Sequence, residues 1–185
     1  VVHIECEWQA KTPIGSVDET RWIAALPFGA AGAPRLGGIV VHANPADAEV
    51  GAVLDAHLAA SPLVRGVRCL GANSPDPGVM SYVKSPGLLA DPAFLRGFAA
   101  IAERDLTFDV WVYAHQLPDV AGLVREYPQT TFVLDHYLTP AGALGPRGKP
   151  TGVTPAVRRD IIARWRDDIA AVSYTHLTLP TISSV

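Results

Sequence analysis

Side chains able to hold charge or move a proton stand at the ends of several β-branched, aromatic-rich runs: His42, Arg68, His115 and His136. Arg68 carries the clearest binding chemistry. Its guanidinium is always charged, and in a strand facing an enclosed interior it requires an anion. A substrate carboxylate or an acidic neighbour such as Glu5 would each satisfy it through paired hydrogen bonds. Substrate binding is the favoured expectation, beside a structural Arg–Glu pair. Glu5, Asp109 and Tyr113 have the parity to face the same interior, as substrate contacts or as a hydrogen-bonded polar layer. His115 suits polarising or orienting a substrate. His42 reads more as a capping or loop histidine than as a ligand.

The elements that must position these residues alternate regularly. Strand-like runs cover residues 1–7, 38–42, 64–70, 107–113 and 130–136, and helical patterns cover 19–26, 45–60, 91–104, 118–127 and 155–170. Asp91-Pro92 and Thr154-Pro155 each place a capping residue before a proline at the first helical position. Leu95, Phe98, Ala99 and Ala102 recur at the spacing of one buried face. Strands separated by helices imply parallel pairing through right-handed βαβ units. In the first run His3, Glu5 and Glu7 alternate with Val2, Ile4, Cys6 and Trp8; in the fourth, Asp109, Trp111, Tyr113 and His115 alternate with Phe108, Val110 and Val112. One polar and one apolar face fits a closed barrel better than a doubly wound sheet, whose two faces would both be apolar. Barrel enzymes build their sites at the C-terminal strand ends, where the histidines fall. No dinucleotide-binding or P-loop glycine pattern follows any strand. The expected fold is therefore α/β, an incomplete (β/α)8 TIM barrel.

Composition sets the remaining bounds. The 185 residues are 49% apolar with a net charge of −3, enough for one substantial core. Neither a basic stripe for nucleic acid nor a basic amphipathic helix for a membrane surface is present. Cys6 and Cys69 lack Cys-x-x-Cys spacing and fit reduced thiols, so a cytoplasmic setting is expected. No apolar run reaches membrane-spanning length.

Three segments, in order and spacing, resemble consecutive motifs of amidohydrolase-related (amidohydrolase-2) proteins in their lactonase-like branch. They are Val64-Arg65-Gly66-Val67-Arg68; Leu106-Thr107-Phe108-Asp109-Val110-Trp111 leading to Tyr113-Ala114-His115-Gln116-Leu117; and Pro128 through Phe132-Val133-Leu134-Asp135-His136. The resemblance covers residues 1–171 as a partial TIM-barrel domain, roughly its second to sixth βα units. It implies a hydrolase that opens a small, anionic lactone of sugar-acid or dicarboxylate type by activated water. The alternatives are metal-dependent amide hydrolysis or decarboxylation of an aromatic acid on the same barrel, or a non-catalytic ligand-binding barrel. His136 matches the family's sixth-strand histidine and His115 the histidine after the fifth, which makes both catalytic candidates. The imidazole of His136 could ligate a metal that acidifies water or donate to a developing oxyanion. The cofactor expectation is one divalent metal, Zn or Mn, or none. The loop 139–152, with Arg147 and Lys149, is expected on the mouth side as a lid or basic rim. The oligomeric state is left open.

The two ends carry their own expectations. Residues 172–181 read codon for codon as a translated transposon-type sequencing adapter, so 172–185 are expected to be a non-native tail. The family's first strand with its His-x-His, and its late aspartate, are not among these residues. A chain so truncated is expected to be inactive and partly unfolded or aggregation-prone, because two edge strands are exposed.

Overall fold

The computed structural model describes residues 1–6, 8, 10–143 and 154–173. Glu7, the loop stretch 144–152 with Arg147 and Lys149, and the tail residues 174–185 lie outside the described residues. Five strands, β1 (Val2–Ile4), β2 (Gly38–His42), β3 (Val64–Leu70), β4 (Thr107–Trp111) and β5 (Phe132–Leu134), form one parallel sheet in sequence order. Between and after them run α1 (Val17–Ala25), α2 (Val50–Ala60), α3 (Pro92–Ala102), α4 (Leu117–Glu126) and α5 (Pro155–Ser173). Strictly sequential parallel order is the topology of a barrel wall and has no switch point of the doubly wound kind. Among the described residues no helix is long and apolar enough to cross a membrane.

The core lies on the helix-facing side of the sheet. Ile39 and Val41 of β2, Val67 and Cys69 of β3, and Phe108 and Val110 of β4 all pack there against residues such as Leu54, Phe94, Phe98 and Leu123. The alternation therefore turns Arg68 and Asp109 to the opposite face, where they are register partners. An irregularity in the pairing of β2 with β3 falls between Ile39 and Val40: Ile39 partners Val64, while Val40 partners Gly66.

Several boundaries differ from the sequence expectation. In α2 the helix begins at Val50, since Asn44 Oδ1 accepts the Ala46 N–H at 3.0 Å and holds the intervening residues in turns. The buried face of α3 is Phe94, Phe98 and Ile101, with Leu95 packed beside it. Asp91 does cap α3, accepting from Ala93 N–H at 2.7 Å with Pro92 at the first turn, and Thr154 Oγ1 accepts from Val157 N–H at 3.2 Å in α5.

The parity expected for the first run is corrected. His3 is in register with Ile39, so it faces the helices, where its Nε2 meets Glu19 Oε1 of α1 at 2.8 Å. Val2 and Ile4 take the other side and are 61% and 38% exposed. Because β1 ends at Ile4, the alternation breaks: Glu5 turns to the interior face and Cys6 back to Glu19.

Candidate functional site

Arg68 sits late in β3 on the face opposite the helix core, and its partners come from the two outer edges of the sheet. Nε donates to Glu5 Oε1 at 2.7 Å, Nη2 donates to the Glu5 carbonyl at 2.6 Å, and Nη1 donates to Asp135 Oδ2 at 3.1 Å. Glu5 immediately follows β1 and Asp135 immediately follows β5, so the guanidinium links both outer strands at their C-terminal ends. Glu5 is 2% exposed, a burial that an ionised carboxylate tolerates only with such a partner. Burial of Arg68 opposes its charge, but the bonds from Glu5 and Asp135 prevail and raise its pKa.

Asp109 stands beside Arg68 in the sheet and is 4% exposed. Desolvation, reinforced by the Asp135 charge and opposed by Arg68, pushes its carboxyl up to about 7. The layer thus holds a carboxylic acid that changes charge near neutrality beside a fixed ion pair. At the rim, His42 Nδ1 lies 4.0 Å from Glu5 Oε2. A cavity of about 370 Å3 opens beside His42, lined also by Trp8, Asn44, Leu70 and Tyr82.

His115 belongs to a neighbouring part of the mouth. It follows β4 in a 3-10 turn fixed by Gln116, whose Oε1 accepts from Tyr113 N–H at 3.1 Å and Asn73 N–H at 3.0 Å while Nε2 donates to the Gly71 carbonyl at 2.9 Å. The residue after the histidine thereby ties the loops following β3 and β4 together. Partial desolvation lowers the His115 pKa, against a bond with the Asn73 backbone. Its ring stacks on Tyr113 at 6.3 Å. Tyr113, a sequence candidate for substrate contact, is 1% exposed, and its hydroxyl donates to the Met80 carbonyl at 2.6 Å. His115 lines a second cavity of about 350 Å3 with Ser74, Asp76, Pro140, Arg164 and Trp165.

His136 is exposed and lies edge-on to Trp111, with ring centroids 6.2 Å apart. It starts a run of left-handed backbone at non-glycine residues: φ is 51° at His136, 52° at Tyr137, 57° at Leu138 and 21° at Thr139. Such conformations cost on the order of 1–3 kcal/mol each and persist only where the surroundings enforce them. Here Leu138 is fully buried in the core, and Trp165 Nε1 of α5 donates to the Tyr137 carbonyl at 2.7 Å.

The structure thus brings Glu5, Arg68, Asp109 and Asp135 together, stacks Tyr113 with His115, and joins His136 to the Arg68 layer through the adjacent Asp135. Asp135 and Gln116 were missed as individual contributors. Their only sequence signal was position, each being next to a candidate histidine. His57, also missed, is 1% exposed and bonded to Ser16 and Thr20, and burial drops its pKa to about 4, the mark of a neutral core histidine. Among the described residues, the group of His, Cys, Asp and Glu ligand atoms close enough to hold a metal is His3, Cys6 and Glu19, and none gathers around His136.

Comparison with known proteins bears on this arrangement. A family model described as amidohydrolase matches residues 16–167. An uncharacterised protein, y4mH, of Sinorhizobium fredii (strain NBRC 101917 / NGR234) is 29% identical over 135 residues, 73% of this chain and 43% of that protein. Two crystal structures of an amidohydrolase from Burkholderia multivorans share the fold. One, with bound HEPES, has a TM-score of 0.62 at 19% identity, covering 94% of this chain and 50% of the other. The second, with bound zinc, has a TM-score of 0.58 at 24% identity, covering 85% and 46%. The chain spans about half the length of the relatives it matches, in line with an arc of their barrel.

Proposed function

Since the chain belongs to the amidohydrolase-2 family, we propose that its five βα units form the carboxylate-recognising part of a barrel hydrolase that opens a small anionic lactone. The observation supporting this reading is the Arg68 layer at the C-terminal strand ends: a guanidinium held by Glu5 and Asp135, with His42 shared between the layer's rim and a neighbouring cavity and with a histidine next to Asp135 in sequence. A guanidinium has five N–H groups, and those not turned onto Glu5 and Asp135 suit a substrate carboxylate. His136 accepts the proton of the attacking water as its oxygen bonds to the lactone carbonyl carbon, and returns that proton to the ester oxygen as the ring C–O bond breaks. His115 orients the substrate from the second cavity.

A second reading, metal-dependent amide hydrolysis, draws on the zinc in one structural relative. The described mouth residues do not fit a divalent cation, since Glu5 and Asp135 are directed onto Arg68. The test is a panel of anionic lactones, neutral lactones, amides and aromatic acids offered to a protein carrying the complete barrel. Turnover confined to anionic lactones supports the proposal; turnover of amides or release of carbon dioxide with no lactone opening overturns it.

A further inference from the structure

On the opposite side of β1 from the mouth, His3, Cys6 and Glu19 converge. His3 comes from the strand, Cys6 from the residues just after it, and Glu19 from the first turn of α1. His3 Nε2 lies 2.8 Å and Cys6 Sγ 3.1 Å from Glu19 Oε1, which also accepts the Cys6 backbone N–H at 3.0 Å. The three ligand atoms lie within 4.8 Å of one another. We propose that His3, Cys6 and Glu19 form a binding site for a zinc-class divalent cation, separate from the barrel mouth.

The chemistry of the set supports this. Thiolate, imidazole and carboxylate together match zinc and cobalt(II), whereas hard cations prefer oxygen alone. Tetrahedral coordination at ordinary Zn–S, Zn–N and Zn–O lengths separates ligand atoms by about 3.2–3.6 Å, a few tenths of an ångström beyond the present hydrogen-bonded spacing. Glu19 is 3% exposed, and among the described residues its ion-pairing partner is His3, so a cation would supply positive charge to a buried carboxylate. Cys6 is exposed, which gives the ion a route in and leaves a fourth position for water. On binding, the Cys6 S–H bond is exchanged for a sulfur–metal bond and its proton passes to solvent, while the His3 ring gives up the Nε2 proton it shares with Glu19 and ligates through Nε2 as the Nδ1–H tautomer.

Cobalt(II) titrated into the purified chain should bind at one equivalent with a thiolate-to-cobalt charge-transfer band that zinc displaces. Cys6→Ser should abolish the band, His3→Gln should weaken binding at least tenfold, and Cys69→Ser should leave both unchanged. Because substitutions in and after β1 can disturb the fold, the unmodified chain gives a second readout. Zinc should slow iodoacetamide alkylation of Cys6, located by peptide mass spectrometry, at least tenfold. Absence of the band at stoichiometric cobalt, its survival in Cys6→Ser, or Cys6 alkylation indifferent to zinc would each overturn the assignment.

Discussion

Arg68 reaches across β2 to Glu5, donating from Nε to Oε1 at 2.7 Å and from Nη2 to the backbone carbonyl at 2.6 Å. Two strands that share no backbone ladder are thus joined by one side chain. Removing either partner leaves the other charge buried, a loss of about 3–5 kcal/mol in fully buried pairs. With Arg68 at 15% side-chain exposure, the low end of that range applies to Glu5→Leu and Arg68→Met. The double variant should lose less than the sum of the two, measured by urea denaturation as a double-mutant cycle.

Asp109 and His57 should pull stability in opposite directions with pH. The Asp109 pKa is raised from 3.8 to about 7 on folding, so its contribution is complete below about pH 4 and is lost as pH rises through 7. The His57 pKa falls from 6.5 to about 4, so its contribution is complete above about pH 6.5 and is lost as pH falls through 4. Asp109→Asn should leave stability rising with pH between 4 and 6.5, and His57→Gln should leave it falling between 4 and 7, each by on the order of a few kcal/mol. Thermal melts across that window check both, and parallel curves for the two variants would refute the assignment.

Two helix glycines should respond oppositely to alanine. A Cβ at Gly97 in α3 would lie 1.8 Å from the Pro45 carbonyl oxygen, whereas one at Gly122 in α4 meets nothing within 4 Å. Gly97→Ala should destabilise by roughly 1–3 kcal/mol or more as the backbone of the loop between β2 and α2 is displaced. Gly122→Ala should stabilise by about 0.5–1 kcal/mol through helix propensity. Chemical denaturation midpoints separate the two.

In a protein carrying the whole barrel, His136→Gln should cut kcat for an anionic lactone by about 10²–10⁴-fold with little change in KM, as loss of a proton acceptor requires. Arg68→Lys should instead raise KM, and more for carboxylate-bearing lactones than for neutral ones. Steady-state kinetics on matched lactone pairs distinguishes these patterns.

Strands β2 and β3 were legible to the residue because β-branched runs end abruptly at Asn44 and Gly71-side turn residues, and the parity of Arg68 and Asp109 followed from alternation. For β1 the same alternation misled, placing His3 in the interior. Parity is a local rule that holds only while the chain stays extended, and no residue between Ile4 and Cys6 announces that the strand has ended. The α3 face was displaced because Phe94 outweighs the alanines that made the pattern look regular. Asp135 as a partner of Arg68 was out of reach, since the contact joins residues 67 positions apart in sequence. The match to an amidohydrolase family was legible because it rested on three spaced segments, none of which required knowing what each side chain touches.

The strictly sequential order β1-β2-β3-β4-β5 also bears on how the chain is made. Each strand pairs with the one synthesised just before it, and each connecting helix needs only that pair to dock against. A nascent chain emerging from the ribosome would therefore find its template already in place at every step, so assembly can proceed in the direction of translation without waiting for distant sequence.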